Sequence, residues 1–307
     1  MDGLPPTLMP DGAWQHTLKA PIGCVGVGLH SGRRVSLTLH PAEAGHGIVF
    51  RRSDLSRDIP ARFDRVVDDR LCTVLGDERW ASARVGTVEH LMAALSGLGV
   101  DNALIELDGP EVPALDGSAA PWVFLLECAG MVSQPEPRRT IEIRRTVRVS
   151  DGDSFAELRP ALPNAPGLEM ALSIDFAAAA IGRQALSLRL TPDSFRQELA
   201  RARTFTLMEE VEALRAAGFA QGGSLENAVV VDKARVLNPG GLRMPDEFAR
   251  HKLLDAVGDL ALAGAPLCGR FIAHRPGHAL NNRLLRALFA NAAAWRAVTP
   301  EQVPVAA

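Results

Sequence analysis

The sequence predicts an α+β fold in two layered halves. Three observations lead there. Strand-like runs precede helical ones in each half, the segment QPEPRR (residues 134–139) breaks both periodicities with two prolines and charge, and 307 residues are long for one core but comfortable for two. In the first half VSLTLH (residues 35–40) alternates with a period of two, while TVEHLMAAL and PWVFLLECAG space their apolar residues as helices do. The break at residues 131–139 predicts a linker, dividing the chain into 1–133 and 134–307.

Beyond that break, TIEIRRTVRVS and LEMALSIDF read as strands, PDSFRQELARAR and LMEEVEALRAAG as helices, and AVVVD as a buried strand. Residues 246–263 read as a long helix, a last helix begins near His278 in GHALNNRLLRALFA, and the tail VTPEQVPVAA reads as frayed. Residues 23–32, GCVGVGLHSG, imitate a nucleotide-binding loop. Their glycines do not fit GxGxxG, they run into alternating strand residues, and no GK[ST] follows, so a hairpin turn is predicted instead.

Composition narrows the function classes. A hydrophobic fraction of 47% with 22% charged residues belongs to a soluble globular protein, and a net charge of −3 offers no footprint for a polyanion, so nucleic-acid binding is not expected. The adjacent pairs Arg33–Arg34 and Arg51–Arg52 read as solvated strand or loop positions. Four cysteines without a CxxC pair argue against a zinc ribbon, a redox motif or a disulfide framework, and fit a reducing cytoplasm. The N-terminus lacks a basic start followed by an apolar run, and no stretch approaches the roughly 20 apolar residues that span a bilayer, so neither export nor an integral membrane segment is expected.

The chemistry concentrates in RHKLLDAVGD, where His251, Asp255 and Asp259 recur every fourth residue and therefore share one helix face. Two half-buried carboxylates one turn apart repel each other unless something positive sits nearby. In GTVEHLMAALSGLG, Glu89 and His90 stand at the first turn of another helix, with Thr87 placed to cap it. A helix N-terminus disfavours imidazolium, so His90 keeps a lone pair for a metal. Two imidazoles and a carboxylate are a common ligand set for catalytic zinc with one position left for water, and Glu89 is then a natural base. Read singly, each feature also has an ordinary structural meaning: a satisfied histidine, or an i,i+4 hydrogen bond.

Taken together, GVGLHSG, TVEHLMAALSGLGVDNA, EVPALDGSAAPWVFLL, RARTF, GGSLENAVVVD, RVLN, DEFARHKLLDAVGDL and GHALNNRLLRAL span nearly the whole chain in order. The chain so read resembles the zinc-dependent UDP-3-O-acyl-N-acetylglucosamine deacetylases of Gram-negative lipid A biosynthesis. The resemblance implies two α+β domains of similar topology with the active site in the cleft between them. It implies Zn2+ on His90, His251 and Asp255, Glu89 as general base, His278 as its protonated partner and Asp259 orienting His278. Thr204 is implied near the developing oxyanion, Lys252 and Phe205 on the substrate site, and an acyl-chain passage along Met208, Val211, Leu214 and Ser224, with Leu71 contributing. Lys252 and Arg275 are expected to meet substrate phosphates, and the partner is a UDP-linked acylated amino sugar acted on by a monomer.

Three departures from the resembled pattern touch none of the proposed zinc ligands: Ala177 to Ala180 after IDF, Thr206–Leu207 after RTF, and Arg275–Pro276 before Gly277–His278. They bear on acyl-length preference and on the contacts to the nucleotide. No dehydratase appended after the last helix is expected. Two other readings use the same motifs: a zinc amidohydrolase acting on another amide, which would be indifferent to the acyl chain, and a scaffold with structural zinc, whose fold would depend on the metal.

Overall fold

The structure is a computed structural model and describes residues 13–77, 79–163 and 165–300. The predicted N-terminal features at residues 1–12 and the last seven residues of the tail lie outside the described residues. The fold is α+β. A five-stranded sheet runs in the order Ile22–Val27, Arg34–Pro41, Ala103–Leu107, Ile48–Arg52, Arg57–Pro60, beside a three-stranded sheet of Val66–Asp68, Val74–Asp77 and Trp80–Val85. The predicted turn at residues 23–32 lies in the hairpin joining the first two strands, where Gly26 faces Val35. Period-two burial holds in the second strand, which buries Val35, Leu37 and Leu39.

A seven-stranded sheet forms later in the chain around Leu267–His274, which pairs antiparallel with Ser154–Arg159 and parallel with Leu168–Asp175 and Thr140–Ile143. A small third unit, Phe205–Leu207 parallel to Val229–Asp232, carries a crossover helix between its strands. Among the described residues, six α-helices accompany the sheets: α1 (Glu89–Leu98), α2 (Ala120–Ala129), α3 (Pro192–Ser194), α4 (Met208–Ala216), α5 (Glu247–Ala261) and α6 (His278–Ala290). No helix among the described residues is long and apolar enough to cross a membrane.

Among the described residues, strands before residue 138 pair only with one another, as do those after residue 139. The expected linker, however, is a strand. Met131–Pro137 pairs antiparallel with Trp14–Leu18, and prolines are tolerated there because a two-stranded ribbon leaves one edge of each strand unpaired. A cut between residues 133 and 134 would fall inside that strand. The passage beyond it is tethered, since Arg138 donates its backbone N–H to Ala13 and its Nε to Asp101 Oδ1 at 2.7 Å.

Three further expectations are corrected. The long helix expected over residues 192–203 is α3, opened by a Thr191–Ser194 capping box, followed by one π-helical turn, Phe195–Leu199. Arg52 is buried rather than solvated, because its guanidinium pairs with Asp54 and donates to the Arg84 carbonyl. Val298, expected in a frayed tail, closes the strand Trp295–Val298 opposite Thr140.

Helices α1 and α5 pack against each other in the core, and α1 is buried along nearly its whole length. Their closest approach requires glycine: a Cβ on Gly258 would lie 2.0 Å from the Glu89 carbonyl oxygen. Gly97 plays the same part on the other flank, where the Phe195 ring fills the space a side chain would take. Two apolar helices pressed together in this way place Glu89 and His90 opposite the polar ladder of α5.

Candidate active site

The α1–α5 contact brings three predicted ligands to one focus. His251 Nε2 lies 3.2 Å and His90 Nε2 3.5 Å from Asp255 Oδ1, and one ligand atom from each of the three residues falls within 4.8 Å of the others. The imidazoles meet edge to face at 4.9 Å between centroids. All three side chains are buried.

Hydrogen bonding leaves the cluster short of a cation. His251 Nδ1 lies 3.0 Å from the Ala202 carbonyl oxygen, which only accepts, so Nδ1 carries the proton and Nε2 presents a lone pair. Burial pushes the His251 pKa down to about 4 against the pull of Asp255, which keeps the ring neutral. Burial also opposes a charge on Asp255, yet the Lys252 ammonium bonded to it helps hold that carboxyl well below its ordinary range. Asp255 Oδ2 accepts from Lys252 Nζ at 2.9 Å, while Oδ1 is buried without a donor. An ionised, donor-free oxygen between two imidazoles is a site that a divalent cation fits.

A second set of contacts adjoins the first. His278 opens α6, its Nδ1 donating to Asp259 Oδ2 at 2.9 Å while its Nε2 lies 3.7 Å from Glu89 Oε1. Burial alone disfavours the imidazolium, but the charges of Asp259 and Glu89 raise its pKa to about 9. Burial raises the Glu89 carboxyl above its ordinary range, only partly countered by His278 and His90. The pair thus holds a proton acceptor and a charged donor side by side.

The remaining predicted residues surround this centre unequally. Phe205 stacks edge to face on Phe248 at 4.9 Å and approaches the His251 ring at 6.2 Å. Thr204 is fixed by its backbone, donating to Gly117 and accepting from Val229, two residues beyond the carbonyl that orients His251. Lys252 and Arg275 line one cavity of about 310 Å³ together with Ser154, Asp175 and Phe176. For Lys252, the ammonium's bonded partner is Asp255, which holds its pKa above the ordinary value despite burial. Arg275 is exposed and takes a left-handed backbone, φ 48°.

The expected passage residues lie at the surface. Met208 and Leu71 are exposed, Val211 and Leu214 are half-buried, and Ser224 is exposed, its hydroxyl accepting from the Glu226 N–H. No residue of α4 is buried, so this helix does not serve as an ordinary core-packing element.

One predicted cap is absent. Thr87 adopts φ 55° and donates its hydroxyl to Glu111 Oε1 at 2.8 Å instead of bonding the start of α1. Glu111 also accepts from the backbone N–H groups of His30 and Ser31, tying the Gly-rich turn to the entry of α1. Sequence reading missed Glu111, Thr73, Ala202, Asn281 and Gly258. Only Gly258 had a visible signal, as a glycine inside a helical pattern. Asn281 follows His278 by three residues on the same helix face and donates to Asp259 Oδ2 at 2.9 Å.

Known proteins resemble the chain over nearly its whole length. A family model described as UDP-3-O-acyl N-acetylglycosamine deacetylase matches residues 15–290. The chain is 51% identical over 288 residues to a UDP-3-O-acyl-N-acetylglucosamine deacetylase from Acidithiobacillus ferrooxidans, covering 92% of each chain. It is 50% identical over 286 residues to one from Myxococcus xanthus, covering 92% of this chain and 89% of that protein. It is also 52% identical over 289 residues to one from Phenylobacterium zucineum, covering 93% and 97%. Likeness at this level over nearly the full length shows that the chain belongs to the UDP-3-O-acyl N-acetylglycosamine deacetylase family.

Proposed function

We propose that the protein is a zinc-dependent amide hydrolase that removes the acetyl group of UDP-3-O-(3-hydroxyacyl)-N-acetylglucosamine, releasing acetate, in lipid A biosynthesis. The observation that carries this reading is the focus of His90, His251 and the donor-free oxygen of Asp255, beside the Glu89–His278 pair. The names of the relatives support the substrate. His90, His251 and Asp255 would hold the ion, which when bound lowers the pKa of its water toward ~7 and polarises the acetamide carbonyl.

The chain's own groups do the proton work. Glu89, buried and with a raised pKa, takes the proton of the attacking water. His278, held as imidazolium by Asp259, donates to the departing sugar nitrogen, which cannot leave as an amide anion. The Thr204 hydroxyl steadies the developing oxyanion. Phe205, Lys252 and Arg275 bind the substrate, the two cations meeting its phosphates in their shared cavity. Met208, Val211, Leu214, Ser224 and Leu71 accept the acyl chain.

Four unpaired cysteines support a cytoplasmic location. We also propose that the chain divides into two domains where its strand pairing changes, at residues 138–139, and acts as a monomer. The test combines metal analysis with a deacetylation assay on acylated and non-acylated UDP-N-acetylglucosamine. One zinc per chain and strong preference for the acylated sugar are expected. Equal turnover of both sugars would favour a different amide substrate, and unfolding on chelation without turnover would favour a structural ion.

A further inference from the structure

Thr73 takes no part in the chemistry above, yet it touches both halves of the proton machinery. It is 2% exposed and stands just before the strand Val74–Asp77. Its backbone N–H donates to Glu89 Oε2 at 3.1 Å, and its carbonyl accepts from the Val88 N–H at the entry of α1. Its hydroxyl donates to Asp259 Oδ1 at 2.6 Å. A hydroxyl has one proton to give, and an ionised carboxylate can only accept, so that proton is committed to Asp259.

The division of oxygens is what matters. Asp259 Oδ2 is shared by His278 Nδ1 and Asn281 Nδ2, leaving Oδ1 to Thr73. Glu89 Oε2 is held by Thr73, leaving Oε1 on the side of His278. We infer that Thr73 is a positioning residue that locks the carboxylates of Glu89 and Asp259 in a fixed mutual orientation, and so sets which oxygen of each faces His278. The inference rests on the functional reading above.

Replacing the hydroxyl by a methyl in Thr73→Val keeps shape and backbone but leaves a buried carboxylate oxygen without its donor, freeing the Asp259 group to rotate. Thr73→Ser keeps the donor. The experiment measures kcat, KM and zinc content for Thr73→Val, Thr73→Ser and Thr73→Ala, and for Thr73→Val combined with Asp259→Ala. It also records the downfield proton resonance of the His278 Nδ1–H···Asp259 bond. Thr73→Val and Thr73→Ala are expected to lower kcat about tenfold or more with KM within about twofold and zinc retained, since only transition-state alignment is lost. Thr73→Ser is expected to stay within about threefold of the parent, and Thr73→Val to add less than about twofold on the Asp259→Ala background, because its partner is already gone.

Parental kcat in Thr73→Val, or a loss that persists undiminished without Asp259, would overturn the inference. The proton resonance separates this from the functional reading, because it needs no turnover. If the parent fails to release acetate, the functional reading fails alone, and the positioning role is then judged by the resonance. Movement or broadening in Thr73→Val with a parental signal in Thr73→Ser supports the role, and identical signals in all variants refute it.

Discussion

The centre formed by α1, α5 and the start of α6 differs in construction from the β–α–β excursion of residues 205–232. In the centre Glu89, His90, His251, Asp255, Asp259 and His278 are all buried, and each carboxylate is held by named donors or imidazoles. In the excursion α4 buries nothing, and its apolar residues stand half-covered or exposed beside Glu209, Glu210 and Glu212. Burial strengthens every polar contact and penalises every unpaired one, so the centre tolerates one arrangement. A half-exposed helix changes side chains at little cost. Under the proposed function, proton and metal chemistry would fall to the buried region and chain-length selection to the half-exposed one.

The largest break in that comparison targets the clamp that joins the regions. Glu247, at the first turn of α5, accepts from the Arg203 backbone N–H and from its guanidinium, with both groups buried. Removing one partner strands a buried charge, so Glu247→Ala is expected to cost about 3–5 kcal/mol in urea unfolding. A cost no larger than that of a surface substitution would show that the centre is not held from this side.

Next come the proton-handling groups. Glu89→Ala and His278→Ala should each retain zinc while losing about two or more orders of magnitude in kcat, whereas His251→Ala should lose the metal, read by emission spectroscopy on dialysed protein. Full activity in either of the first two, or stoichiometric zinc in the third, would contradict the assignment.

A smaller effect sharpens the electrostatics. In the proposed mechanism the imidazolium of His278 is the active form, and Asp259 and Glu89 raise its pKa to about 9 against burial, so kcat/KM should fall as pH rises through that region or somewhat below it, a bound dication opposing the second charge. Asp259→Asn withdraws the charge that supports the imidazolium, and the alkaline limb should move to lower pH. A limb that stays in place would remove Asp259 from this role.

On the permissive side, Met208→Ala, Val211→Ala and Leu214→Ala should shift the preferred acyl length while stability stays within about 0.5 kcal/mol. Arg275→Ala should raise KM for the diphosphate sugar with kcat largely intact, since such contacts are equal in ground and transition states. Destabilisation of several kcal/mol from an α4 variant would dissolve the distinction between the regions.

Much of the rigid region was legible because it is written in helical periodicity: the ladder of His251, Asp255 and Asp259 and the adjacent Glu89 and His90 need only a 3.6-residue repeat to be placed. What escaped depends on contacts between distant segments. Thr73 has no local pattern, and its partners lie 16 and 186 residues away. Thr87 fits the capping rule in sequence, but a positive φ turns its hydroxyl to Glu111. Residues 131–137 carry prolines that forbid a central strand but not a ribbon, and the partner strand begins near Trp14. Arg52 reads as solvated until Asp54 and the Arg84 carbonyl enclose it.

Because His251, Asp255 and Asp259 ride on a single rod, the candidate metal seat and the prop behind His278 cannot slide independently. One residue of axial slip in α5 is about 1.5 Å, enough to carry all three off their marks at once. Under the proposed function, such a slip would take away ion binding and the support of His278 together.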